Sequence, residues 1–229
     1  MAYPTVSAPY GLKPINLIGG QVFAGATRQI AIASSAGVGY NTNIFYGDVV
    51  KLTSTGTLVI DAGTTTATPV GVFMGCQYVS AVTGQLTFSQ YYPASLAVKT
   101  NTTILAFVSD DPDQLFKVVL VTGTTADDAT SGLLPAYVGR TIIGSNAQLV
   151  QNTGSTITGD SKVGIYSAAG ATTTASLPIR IVDVVPDTAN SSGNFTEVIV
   201  KWNAPYVVSD NGTTSVVTGG HQYLNPVGV

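Results

Sequence analysis

The chain has 229 residues, of which 45% are apolar and only 9% charged, with 25 glycines, one histidine (His221) and one cysteine (Cys76). Nine basic and twelve acidic side chains leave a net charge of −3, so the clustered Lys and Arg that nucleic acid or an anionic membrane surface requires are missing. One cysteine excludes an intrachain disulfide, and one His with one Cys cannot close a zinc site.

Residues 1–39 read as an extended arm. Pro4, Pro9 and Pro14 each remove a backbone donor and favour extended geometry in the residue before them. Gly19, Gly20 and the small residues of 32–39 interrupt any helical period. The segment still carries Tyr3, Tyr10, Leu12, Ile15 and Leu17, and such side chains need a surface: the protein's own body, a sister subunit or another partner. It has neither a basic n-region nor a continuous apolar h-region, so no secretory leader is expected.

From residue 40 onward, short β-rich runs alternate with turn residues. Residues 44–52 and 57–61, separated by Ser54, Thr55 and Gly56, predict a hairpin. Residues 69–75 read as a buried strand whose glycines let a neighbouring backbone come close. Runs at 103–108 and 115–122 flank an acidic turn at 109–113. The stretch 126–139 allows one or two helical turns at most, since Gly132 and Pro135 interrupt it. In 178–185, alternation places Ile179, Ile181, Asp183 and Val185 on one face and Arg180 on the other. In 195–202 it places Val198, Val200 and Trp202 opposite Glu197 and Lys201, and the linker 187–194 lets the two runs pair antiparallel. The expected fold is all-β: a compact barrel- or sandwich-like body at 40–205, with a break near 123–145 that divides it into two β subdomains. An extended N-terminal arm (1–39), a C-terminal tail (206–229) and at most one short helix complete it.

Groups able to do chemistry are few. Asp110, Asp111 and Asp113 form the densest carboxylate cluster, but the glycine and distal glutamate of an EF-hand loop are absent, so an acidic turn shaped by Pro112 is expected. Glu197, the sole glutamate, sits on a strand where an ion pair is expected rather than acid catalysis. His221 lies in the motif GGHQY at 219–223, within a tail expected to be flexible, and no Gly-x-Ser-x-Gly elbow accompanies it. A hydrolase built on His221 is therefore a distant alternative. The reading is of a non-enzyme, without catalytic residues, cofactor or bound metal.

The motif YGLKPINLIGGQVF at 10–23, then ATRQ at 26–29, FYGDVVKL at 45–52, PVGVFMG at 69–75, GSTITG at 154–159 and LPIRIVDVV at 177–185 resemble small structural proteins of tailed bacteriophages, including marine and cyanobacterial ones. The resemblance covers most of the chain and implies a capsid decoration, or cement, protein. It implies the major capsid protein as partner, a place on the outer face of the virion capsid after synthesis in the host cytoplasm, and a homo-oligomer, commonly a trimer. Neither nucleic acid nor membrane is an expected partner. Candidate contact residues are Tyr3, Tyr10, Leu12, Ile15 and Leu17 in the first arm, and Tyr206, His221, Tyr223 and Leu224 in the second. Deleting residues 1–18 is expected to weaken docking while leaving the body folded. A receptor-binding or fibre-associated β module of the tail is the alternative.

Overall fold

The structure is a computed structural model, which describes residues 6, 8–34, 39–121, 140–166, 174–188, 195–210 and 214–225. It is all-β. Its strands are β1 (Lys13–Leu17), β2 (Arg28–Ala31), β3 (Val49–Leu52), β4 (Leu58–Ile60), β5 (Gly71–Val79), β6 (Leu86–Ser89) and β7 (Leu105–Ser109). There follow β8 (Gln114–Val121), β9 (Asn146–Val150), β10 (Gly164–Tyr166), β11 (Ile179–Val184), β12 (Glu197–Trp202), β13 (Tyr206–Asp210) and β14 (Thr214–Thr218). Helical backbone among the described residues is confined to two 3-10 turns, Arg140–Ile142 and Gln222–Leu224, and no helix there is long and apolar enough to cross a membrane.

One sheet closes into a five-stranded barrel. β12 pairs along one edge of β8; on the other edge β1 takes the first half of β8 and β10, running parallel, takes the second. β9 joins β10 to β11, and β11 returns to β12, completing the ring. β8 is buried along nearly its whole length, which explains why its sequence is an almost unbroken apolar run rather than an alternation. Phe116, Leu149, Ile165, Val200 and Trp202 fill the core and are fully buried.

The second sheet, in order β2-β7-β5-β3-β4 with β6 added to β5, is inserted between β1 and β8. Its first and last strands meet at a single parallel bridge between Ile32 and Leu58, where the Ala33 N–H donates to the Leu58 carbonyl at 3.0 Å. Ile44, Phe73, Tyr92 and Ile104 make its separate core. The predicted hairpin is present as β3 and β4, with Val50 opposite Ile60. Gly71 does what the sequence suggested: a Cβ there would lie 2.2 Å from the Ser109 carbonyl oxygen.

Four expectations are corrected. First, the N-terminal segment is no free arm where it is described, because β1 belongs to the barrel sheet and β2 to the second sheet. Leu12 is fully buried in the barrel core, so deleting residues 1–18 would remove a strand and a core side chain. Second, the sheets part at the 110–113 turn. The expected break near 123–145 falls between β8 and β9 of a single barrel, joined through β10; residues 122–139, including the possible helical turns, lie outside the described residues. Third, a bulge between Ile181 and Asp183 resets the alternation of β11. Val184, not Val185, follows Ile179 and Ile181 inward, and Asp183 turns out to pair with Arg140 at 3.4 Å.

Fourth, the described end of the C-terminal tail, 218–225, is fixed. Gly220 has φ +95°, and a Cβ there would lie 2.5 Å from the Pro205 nitrogen, so only glycine fits the return of the chain. The His221 N–H donates to Asn203 O on the barrel side at 3.2 Å, and the Gln222 N–H donates to Pro69 O of the second unit at 2.8 Å. The Gln222 side chain then pairs with both backbone groups of Leu52, accepting at 2.7 Å and donating at 3.1 Å. The tail is a strap across the two units.

Candidate interface at the joined chain ends

The strap brings the C-terminal segment to the turn after β1, and both meet the acidic turn between β7 and β8. The Ile18 N–H donates to Asp113 O at 3.1 Å, and Gln114 Nε2 donates to Asn16 O at 3.0 Å. On the other side the Tyr223 hydroxyl donates to Asp110 Oδ2 at 2.7 Å. The same carboxylate oxygen receives Arg28 Nε at 2.8 Å, and the Arg28 guanidinium lies over the Tyr223 ring, 5.0 Å from its centre. Burial raises the Asp110 carboxyl above its ordinary value, against the opposing pull of Arg28.

Behind Tyr223 a file of rings runs into the barrel. Tyr223 meets His221 edge-on at 5.1 Å, His221 meets Trp202 at 6.2 Å, and Trp202 packs on Phe116 at 5.3 Å. His221 is fully buried, and burial pushes its imidazole down to about 4, with the Val70 backbone and Asp111 pulling weakly the other way. It is neutral at pH 7. Nδ1 accepts from the Tyr223 N–H at 3.2 Å, which places the proton on Nε2. That Nε2 lies near the Val70 backbone but outside hydrogen-bond geometry. A base so enclosed is a packing group, with no route to a substrate.

A groove of about 510 Å³ opens beside this buttress, lined by Ile18, Pro112, Ile143, Val182, Ala204 and Leu224, with Asp113, Arg180 and Lys201 at its rim. Ile18, Tyr223 and Leu224 are each about half exposed. Among the described residues no three His, Cys, Asp or Glu side chains stand together as a metal site. Each acidic-turn carboxylate has a partner: Asp110 as above, Asp111 on the Asp113 N–H at 2.8 Å, and Asp113 near Lys201 at 3.9 Å.

The candidate contact residues thus divide. Leu17, Tyr223 and Leu224 gather around the acidic turn. Ile15 is half-buried on β1. Leu12 and His221 are fully buried and unavailable to a partner. The Tyr10 hydroxyl donates to Glu197 Oε1 at 2.5 Å, and Glu197 also pairs with Lys117 at 3.1 Å, the expected ion pair, made across strands to β8. Burial and Glu197 raise the Tyr10 phenol far above its ordinary value. Tyr206 opens β13, and Tyr3 lies outside the described residues.

A second apolar surface escaped the sequence reading. On β6, Leu86 is 56% exposed and Phe88 66% exposed, and Val82 in the preceding turn is 90% exposed. Phe88 stacks on Phe107 of β7 with ring centres 6.4 Å apart. The signal was the Leu-Thr-Phe-Ser alternation at 86–89, too short to separate from a loop.

Comparison with protein-family models, with curated proteins and with solved structures returns no match.

Proposed function

We propose that the protein is a non-enzymatic structural component of a tailed-phage virion, docking on the outer face of the capsid and bridging neighbouring major capsid protein subunits. The observation that carries this reading is the groove at the joined chain ends, where Ile18 and Leu224 stand exposed on a rigid support. Apolar side chains held open by an ion pair and a file of buried rings lose little conformational freedom on docking. The choice of the major capsid protein as partner rests on the sequence resemblance. A bridging protein opposes the separation of capsomers under internal DNA pressure, and copies held together multiply weak contacts through effective concentration.

The test is the copy number of the protein in purified virions relative to the major capsid protein. A ratio approaching one to one supports the reading, and Leu224→Asp is then expected to lower occupancy. A handful of copies per particle transfers the protein to the tail as a receptor-binding or fibre-associated module. Absence from virions overturns both.

A further inference from the structure

We infer that the groove at the joined chain ends recognises a carboxylate, taking a partner segment in which one Asp or Glu side chain is flanked on both sides by apolar side chains. The inference rests on the docking reading of that groove and adds the chemistry by which the groove selects. Six of the nine basic residues sit in ion pairs with acidic partners. The exposed side chain of Arg180, among the described residues, has neither an ion pair nor a hydrogen bond. On β11 it stands directly opposite Lys201 of β12, so the two cations share one outward face. Lys201 is held only by Asp113, at 3.9 Å, and the Asp113 side chain is 65% exposed. Like charges directly opposite each other on paired strands are destabilising. An anion seated between them turns that repulsion into attraction.

The place of the two cations selects the occupant. Toward one end of the groove stand Ile143 and Val182, where the Gly144 N–H donates to Ile181 O at 2.9 Å. Toward the other stand Ala204 and Leu224, where the His221 N–H donates to Asn203 O at 3.2 Å. Along β11 and β12 the wall therefore runs apolar, cationic, apolar. A chain-terminal carboxylate would leave one apolar end empty, whereas an internal Asp or Glu with apolar neighbours fills all three. The guanidinium of Arg180 offers paired donors that match the two oxygens of a carboxylate, and Lys201 adds a point charge. Asp113, the one acid among the described lining residues, is the partner that the incoming carboxylate displaces from Lys201.

The experiment titrates the full-length protein against a fluorescently labelled, end-capped peptide, Ser-Val-Leu-Glu-Leu-Val-Ser, followed by anisotropy. Binding is expected, and a Gln-centred peptide should bind about tenfold more weakly, with the gap closing at high salt. Arg180→Gln should weaken the Glu-centred peptide about tenfold and leave the Gln-centred one unchanged. Arg180→Glu should reverse the preference toward a Lys-centred peptide. Because Arg180 is exposed and unpaired, both variants should keep the Trp202 emission of the wild type. Leu224→Asp should weaken the Glu- and Gln-centred peptides alike, which locates them in the groove. Equal binding of Glu- and Gln-centred peptides overturns the inference and leaves apolar docking standing. A preference for Glu that Arg180→Gln does not alter also overturns it, as does no binding of any peptide to the wild type. Tighter binding of a Gln-centred peptide with a free C-terminal carboxylate than of the capped Glu-centred one overturns the assignment to an internal side chain. The docking reading itself is judged separately, by copy number in virions.

Discussion

The barrel and the second sheet draw on one sparsely charged sequence and finish their outer surfaces in opposite ways. On the barrel, the charges that β8 and β12 carry on the face away from the core are matched, Lys117 with Glu197 and Lys201 with Asp113, and stand among Val119 and Ile199. On the second sheet, the corresponding positions of β6 and β7 are Leu86, Phe88, Leu105 and Phe107. The barrel closes through continuous strand pairing, whereas the second sheet closes through one bridge at Ile32 and leaves β6 as an edge. A chain with few charges exposes apolar side chains in two settings, along a strand face of the second sheet at Leu86 and Phe88 and in loops and chain ends at Ile18, Ile157 and Leu224.

The sharpest way to break this comparison is to truncate one aromatic from each unit. Trp202→Ala removes a fully buried ring between Phe116 and His221 and is expected to cost about 3–5 kcal/mol in urea unfolding. Phe88→Ala, measured in a dilute monomer, should change stability by about 0.5 kcal/mol or less. Comparable losses would show that Phe88 supports its own sheet and is not held out for a partner.

Acid should act on the two units in opposite directions. The folded pKa of His221, about 4, lies below the ordinary 6.5. Its contribution to stability is therefore present above pH 6.5 and lost as pH falls through about 4, to a limit of about 3 kcal/mol. Asp48, directly before β3 of the second sheet, is 2% exposed and accepts from the Phe45 N–H at 2.8 Å. Burial pushes its carboxyl up to about 6, so its contribution is present below the ordinary 3.8 and is lost as pH rises through about 6. His221→Gln should flatten the acid limb of a stability–pH curve, and Asp48→Asn should raise stability above pH 6. The first change, followed through Trp202 emission, reads the strap; a pH curve identical to the wild type would mean the strap opens without charging His221.

Legibility in the sequence followed the range of the interaction. Val198, Val200 and Trp202 were readable because β12 keeps strict period 2 with one face in the core, and β3–β4 was readable because its turn is local. Gly71 announced a close approach, but not that Ser109 would be the neighbour. The arm was misread because Pro14 is tolerable in a strand that pairs along only part of β8, and sequence gives no sign of a partner a hundred residues away. The bulge in β11 is invisible for the same reason, being set by the register with β12. In the site, Tyr223 and Leu224 were named as apolar residues near an end, yet the feature that makes them a surface, Asp110 held between Arg28 and Tyr223, joins three distant segments. The β6 face went unread because four alternating residues carry too little pattern.

Gly71→Ala probes the packing of the second sheet on a smaller scale. The added methyl meets the Ser109 backbone rather than a movable side chain, so a loss of about 1–3 kcal/mol is expected from overpacking. That loss should appear in the same unfolding transition as Trp202→Ala if the strap and shared seam make one cooperative unit.

The smallest effect should come from the barrel's outer charges. Lys201 stands 3.9 Å from an Asp113 side chain that is itself 65% exposed. Solvent screens such a pair and two side chains must be ordered to make it, so Lys201→Gln should cost about 0.5 kcal/mol or less. Its value is as a control on the comparison. Lys201 lines the groove at the joined chain ends but lies on the barrel, so the substitution should leave stability nearly unchanged while altering any docking at that groove. A loss well above that would show instead that the pair with Asp113 holds the acidic turn onto the barrel.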